Sequence, residues 1–352
     1  MTVVHLRHAD PGLLVIAPDG APLVTDAAPG LDALVLEVAG GHLTWSLFDS
    51  GVVPAAVLDD VDAAQDWVWA VYGEEVAVAV ADYDPRALTA SPAQPETVAN
   101  MRRLAYAHWA SRWWPASTVD GIPALDPRLL LEEIEVLTEQ CEMMFGSDDF
   151  GPLERGLESE SVSRVRAVDY ALAAGGTDAA DGLIVARGSG HWDWRRCPPG
   201  LLDAGENAVS WQVTRAGGVS TVRVSVVAAP DCRRAVPEHL RPLARVRSVR
   251  AQPPAATEQG QSAGHDRAEP SVDVQIPLHL RGDAWTGAAE IALRTETSLD
   301  ITVFVPGFGP ADPVEEAVVR DRIRRFARLR LSDPTGRPLT AESTAAEADE
   351  DF

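Results

Sequence analysis

With 352 residues, 46% of them hydrophobic and 24% charged, the chain has the length and composition for about two globular domains with real cores. All 30 of its basic residues are arginine, which excludes Walker-type phosphate loops, protein kinases and Schiff-base enzymes, because each needs a lysine amine. The formal charge of −23 argues against a general nucleic-acid binder, since phosphate is repelled.

The abundance of Ala, Gly, Pro, Val and Arg, with Asn only at 100 and 207, reads as the composition of a GC-rich bacterial genome. The segment Met1–Ala17 carries charges and histidines where a secretory signal needs an apolar core. Apolar runs fall short of the ~20 residues of a membrane span. Three cysteines, Cys141, Cys197 and Cys232, fit reduced thiols and a cytoplasmic location.

In chain order, residues 1–95 read as an acidic, mixed α/β region. Ala33–Glu37 and His42–Phe48 read as strands about the Gly40-Gly41 turn. Ala63–Val71 is helix-like, and Glu75–Val80 reads as a short apolar strand ending at Asp82-Tyr83-Asp84-Pro85. Residues 96–176 read as a helical segment packing on that region. In its first helix Val98, Met101, Leu104, Ala105, His108, Trp109 and Arg112 follow helical spacing, and Pro115 ends it. Asp126-Pro127 starts the second, with Leu130, Ile134, Leu137, Cys141 and Met144 on one face. The third covers about Ser161 to Ala174.

Residues 182–331 read as an antiparallel β domain with a C-terminal helix. Val209, Trp211 and Val213, then Val222, Val224 and Val226, alternate with polar residues. The alternation of Val272, Val274, Ile276, Leu278 and Leu280 is longer still. Such strands have one wet and one buried face, which predicts a β-sandwich-like domain. Pro277 belongs at an edge or bulge. Residues 251–271 read as a disordered loop within it, and 332–352 as a disordered acidic tail. The fold class is therefore α+β: a mixed α/β N-terminal part with a helical segment, an antiparallel β-sandwich-like domain and a C-terminal helix.

Arginine is unevenly distributed. Residues 1–100 hold 2 arginines and 15 acids, whereas 187–250 hold 11 arginines and 5 acids. Trp109, Trp113 and Trp114, with Arg195 and Arg196, and Arg320, Arg324 and Arg328 of the last helix, are the candidate partner-binding residues, because Trp and Arg anchor protein interfaces. Glu132, Glu135, Glu139 and Glu142 line one helical face, read as solvated or as facing a basic surface. Asp82-Tyr83-Asp84 reads as a turn. No pattern for a metal or a cofactor is present, and none is expected.

His5-Leu6-Arg7-His8-Ala9-Asp10 resembles the first motif of the histidine phosphatase superfamily, and Leu183–His191 has the outline of its later histidine-bearing strand. The resemblance implies a doubly wound α/β fold, with His8 as nucleophile, Arg7 gripping phosphate and His191 as the second histidine. A third reading is a redox-responsive protein, because thiolates of Cys197 and Cys232 beside Arg196 and Arg233 are expected to have lowered pKa values. The favoured reading is non-catalytic: an interaction or adaptor component of a bacterial cytoplasmic multiprotein system, whose partner is another protein.

Overall fold

The computed structural model describes residues 2–9, 12–24, 29–49, 51, 53–141, 182–233, 235–250, 272–292, 297–310, 316–332 and 337–350. The class is mixed α+β. The chain forms two compact units, Met1–Trp114 with Leu125–Arg164 and Val318–Phe352, and Pro115–Ala124 with Val165–Ala317. No described helix is long and apolar enough to cross a membrane.

The first unit holds a six-stranded sheet of β1 (Thr2–His8), β2 (Leu14–Pro18), β3 (Ala33–Val38), β4 (Gly41–Ser46), β5 (Ala55–Leu58) and β6 (Ala87–Ala90), in the order β3-β4-β5-β2-β1-β6. Every pairing is antiparallel. In β1 the two-residue period buries Val4 and Leu6 and exposes His5 and Arg7. Three helices follow: α1 (Val61–Tyr72), α2 (Glu74–Ala81) and α3 (Pro95–Trp113). Trp67, Tyr72 and Trp109 of these helices are buried but keep a polar contact. The indoles of Trp67 and Trp109 donate to the carbonyls of Ala39 and Leu31, both at 2.7 Å, and the Tyr72 hydroxyl donates to Pro54. A buried aromatic N–H or O–H needs such a partner.

The expected strand at Glu75–Val80 is instead helix α2. The run Val-Ala-Val-Ala-Val has no polar residue to set its period, so length and burial decide. Val76, Ala77, Ala79 and Val80 are buried on one side and Val78 is exposed. Gly73 separates α1 from α2 at φ +90°, and a Cβ there would lie 2.3 Å from the Ser91 carbonyl oxygen, so only glycine fits.

Helix α4 (Pro127–Cys141) begins where the sequence predicts, with the Asp126 carboxylate accepting from the Arg128 N–H at 2.8 Å. Leu130, Leu137 and Cys141 are buried. Met144, Glu142 and the expected helix at Ser161 to Ala174 lie outside the described residues.

Two expectations for the C-terminus are corrected. Helix α5 (Ala317–Ser332) groups with the first unit from Val318 onward, not with the β domain. Phe326 packs edge-on against Phe48, Tyr106 and Trp109, and the Arg322 guanidinium lies 4.0 Å from the Phe48 ring centroid. The tail expected to be disordered carries helix α6 (Thr340–Glu350), with Leu339, Ala341 and Ala345 buried. Glu342 holds it. This carboxylate is bidentate to Arg330 (2.9 and 2.5 Å), and it accepts from the Tyr106 hydroxyl (2.6 Å) and the Leu339 N–H (2.7 Å). Arg103 adds hydrogen bonds to the Arg337 and Pro338 carbonyls and to Glu133, which in turn accepts from the Thr340 N–H. Charge composition concealed the order, because one buried acid with four donors outweighs several solvated ones.

The second unit has two antiparallel sheets in a sandwich-like arrangement. One sheet comprises β7 (Leu183–Gly190), β8 (Val209–Ala216), β9 (Val219–Val227), β12 (His279–Arg281) and β13 (Ala284–Ile291), in the order β12-β13-β9-β8-β7. The other comprises β10 (Leu243–Arg250), β11 (Asp273–Pro277) and β14 (Thr297–Phe304), in the order β11-β10-β14. The alternation read from sequence holds in β9, where Val222, Val224 and Val226 are buried and Arg223 is exposed. The expected disordered loop 251–271 lies outside the described residues.

The longest alternating run is not one strand. It divides into β11 in one sheet and β12 in the other, with the change at Pro277–Leu278. Proline has no N–H to continue a ladder, and the Leu278 N–H turns to the Pro242 carbonyl at 3.0 Å. Gly287 of β13 permits the approach, since a Cβ there would lie 2.5 Å from the Pro277 oxygen and 2.7 Å from the Ile276 side chain. The loop Pro115–Ala124 joins this unit through the fully buried Asp203. That carboxylate accepts from the Ser117 hydroxyl (2.6 Å), the Thr118 N–H and hydroxyl (2.7 and 3.0 Å) and the Gly205 N–H (2.8 Å).

Candidate functional site

Several of the candidate partner-binding residues are used inside the chain. Trp109 is buried and stacks on Tyr106 with ring centroids 5.7 Å apart. Arg196 is buried with its guanidinium 4.8 Å from the Phe304 ring centroid. Arg320 and Arg324 are buried on α5. Helical spacing turns Trp109, Arg320 and Arg324 inward, and the short 3-10 turn Trp194–Arg196 does the same for Arg196, so these four are buried within the chain. Arg195 is mostly covered and bonded to Glu316 at 2.7 Å. Trp113 and Trp114 are half-buried, with Arg112 over the Trp113 ring at 4.8 Å. Arg328 is exposed, as are Glu132, Glu135 and Glu139.

The fold implied by the phosphatase resemblance is not the one observed. Strand β1 is antiparallel to both neighbours, and the chain returns directly from His8 to β2, with the Ala9 N–H donating to Leu13. That is not the strand-to-helix passage of a doubly wound sheet. His8 is exposed. His191 follows β7 in the second unit and pairs with Glu206 at 3.0 Å. Arg7 lines an open groove of about 610 Å³ with His5, Asp19 and Arg86. Two acids accompany these bases, since His5 meets Asp19 at 3.1 Å and Arg86 meets Asp84 at 3.0 Å.

The thiols are shifted in the direction opposite to the expected one. Burial drives the Cys197 thiol far above its ordinary pKa and outweighs the nearby Arg196. Burial likewise raises Cys232, against a smaller opposing effect of Trp285. Arginine adjacent in sequence does not activate a thiol that is desolvated.

Two features remain that the candidate residues did not include. One is a cleft of about 530 Å³ where the chain changes sheets. Arg241 lies just before β10, next to the Leu278-to-Pro242 hydrogen bond, and His279 opens β12 just after it. Both side chains are exposed and both line the cleft. Val236, Pro237, Leu280 and Trp285 supply its apolar walls. No carboxylate lines it among the described residues, in contrast to the groove beside Arg7.

The other feature is β7. It is the end strand of its sheet and pairs only with β8 among the described residues. Leu183, Ile184 and Val185 are 72%, 52% and 39% exposed. The register shifts between Ile184 and Ala186, so Val185 occupies a bulge. Further along, Trp211 of β8 lies over Gly188, where a Cβ would meet its ring at 2.6 Å. The sequence showed the apolar run at 183–185 but not that its strand is an edge. No protein family, curated protein or solved structure matches this chain.

Proposed function

We propose that this chain is a non-catalytic interaction component of a cytoplasmic multiprotein assembly, and that it docks an extended segment of a partner protein along β7. One observation carries the reading: three consecutive apolar side chains stand exposed on the end strand of the five-stranded sheet. An end strand presents unpaired N–H and C=O groups, and exposed apolar residues beside them promote pairing with another strand. Short edges and charged side chains are the usual protection. Here only the bulge at Val185 and the later Arg187 interrupt the run. Main-chain bonds would supply affinity, and Leu183 and Ile184, on opposite faces, would select apolar residues of the partner.

The test is a double substitution, Leu183→Asp with Ile184→Asp, in the full chain. Both side chains are exposed, so the melting temperature is expected to stay unchanged. Proteins recovered with the wild-type chain from its native host, identified by mass spectrometry, are expected to be lost with the variant. Recovery of the same proteins in equal amount overturns the reading. Self-association of the wild type, abolished by the variant, overturns it in favour of a homo-oligomeric edge.

A further inference from the structure

We infer that the cleft at the sheet change binds a small hydrophobic monocarboxylate, gripped by Arg241 and His279. The inference is independent of the docking edge on β7. It begins with the backbone. At Pro277 the chain leaves the three-stranded sheet, and at His279 it enters the five-stranded one. Both β11 and β12 are end strands, so among the described residues no further strand closes the corner from outside. The connection from Ala235 to Arg241, with its short 3-10 turn at Glu238–Leu240, forms the opposite wall.

The lining is chemically asymmetric. Leu280 and Trp285 are cross-strand partners in the β12–β13 ladder. The Trp285 indole is buried and its N–H is occupied by the Leu201 carbonyl at 3.0 Å. Its ring is therefore available as an apolar wall rather than as a donor. Val236 and Pro237 complete the apolar side. Arg241 and His279 are the only ionisable groups among the described lining residues. In a chain of net charge −23, a concave site with bases and no acid among its described lining residues selects an anion by local charge, not by the field of the whole protein.

The ligand class follows from that asymmetry. A guanidinium presents a planar fork that matches a carboxylate with two parallel hydrogen bonds, and an imidazole N–H adds a third. The apolar walls require a hydrophobic body on the ligand. The volume of about 530 Å³ lies within the usual range for small-molecule sites. The carboxylate has two possible sources, a free acid or the C-terminus of a polypeptide, and the experiment separates them.

Binding to the full chain is measured by isothermal titration with 4-phenylbutyrate, 4-phenylbutyramide and inorganic phosphate. A hexapeptide ending in Leu is added, as free acid and as amide. Acid forms are expected to bind at least tenfold more tightly than amides, and Arg241→Ala is expected to remove that preference. Arg241 and His279 are exposed, so Arg241→Ala and His279→Ala leave the melting temperature unchanged. Binding of phenylbutyrate supports a free acid as the source, and binding of the free-acid peptide alone supports a chain terminus. Equal affinity of acid and amide, equal affinity of Arg241→Ala and wild type, displacement by phosphate at matching concentration, or no binding of any probe overturns the inference.

Discussion

The most deeply buried described carboxylates of the two units, Glu342 in the first and Asp203 in the second, are satisfied by different chemistry. In the first unit Glu342 meets a cation, a phenol and an amide, from Arg330, Tyr106 and Leu339. In the second Asp203 meets two hydroxyls and two amides, from Ser117, Thr118 and Gly205. The ion pair in the first clamps a C-terminal helix to helices α3 and α5. The neutral donor set in the second ties a loop to a β framework. Arginines follow the same division. On the helical period of α5, Arg320 and Arg324 turn inward and are buried, while Arg322, Arg325 and Arg328 stay exposed. On the strand period Arg223 and Arg245 stay on wet faces, and Arg241 just outside β10 reaches the cleft. Arg320 and Arg324 therefore serve structure, whereas Arg223, Arg241 and Arg245 give an accessible surface.

Isosteric neutralisation separates the two carboxylates. Glu342→Gln keeps shape but leaves Arg330, whose side chain is only 15% exposed, facing an amide. Removing the charge of one member of a buried pair costs about 3 kcal/mol. Thermal or urea unfolding is expected to show that loss, with amide exchange rising first in α6. Asp203→Asn leaves no cation exposed. It turns an amide N–H₂ toward donors that previously met an oxygen, at a cost of about 2 kcal/mol. Protease sensitivity is then expected to rise within Pro115–Ala124. If Asp203→Asn proves the more damaging of the two, the contrast between ionic clamp and neutral staple fails.

The sequence was most legible where one period ran without ambiguity and each residue had only one possible face. Val222, Val224 and Val226 had to face inward once Arg223 and Ser225 faced out. Asp126 and Pro127 marked the start of α4 by local capping chemistry alone. Legibility failed where the deciding partner was remote. The apolar run Val76–Val80 carries no polar residue to reveal its period. The run Val272–Leu280 keeps its alternation across Pro277, although a backbone hydrogen bond to Pro242 sends its halves to different sheets. The tail was read from its charge, and the buried contact of Glu342 with Arg330 is not visible in composition. The cleft was hidden for the same reason, because Arg241 and His279 come to line it only where the chain changes sheets. The signal for it was partial: Arg241 lies in the arginine-rich stretch, and His279 lies on the polar side of an alternating run.

The smallest expected effect concerns an ion pair left on the wet face of the second unit. Arg245 of β10 is bidentate to Asp273 of β11 at 2.8 and 2.6 Å, across the Arg247↔Asp273 register. The hydrogen bonds from Arg245 hold the Asp273 carboxyl below its ordinary pKa, and raise that of Arg245. The sign follows from linkage. A carboxyl with a depressed pKa in the folded state binds its proton more weakly there than in the unfolded chain. Its contribution is present at neutral pH and is lost as pH falls below the unfolded carboxyl's range through the folded value. Both groups are solvent-exposed, so salt screens the pair and its effect on stability is small. Carbon-detected NMR titration of the Asp273 carboxyl is expected to give a midpoint below that of an ordinary aspartate. Arg245→Ala should move it upward, and so should high salt, with little change in melting temperature at neutral pH. An unmoved midpoint in Arg245→Ala would mean that the strand arginines are merely solvated. The distinction between inward helical arginines and outward strand arginines would then rest on burial alone.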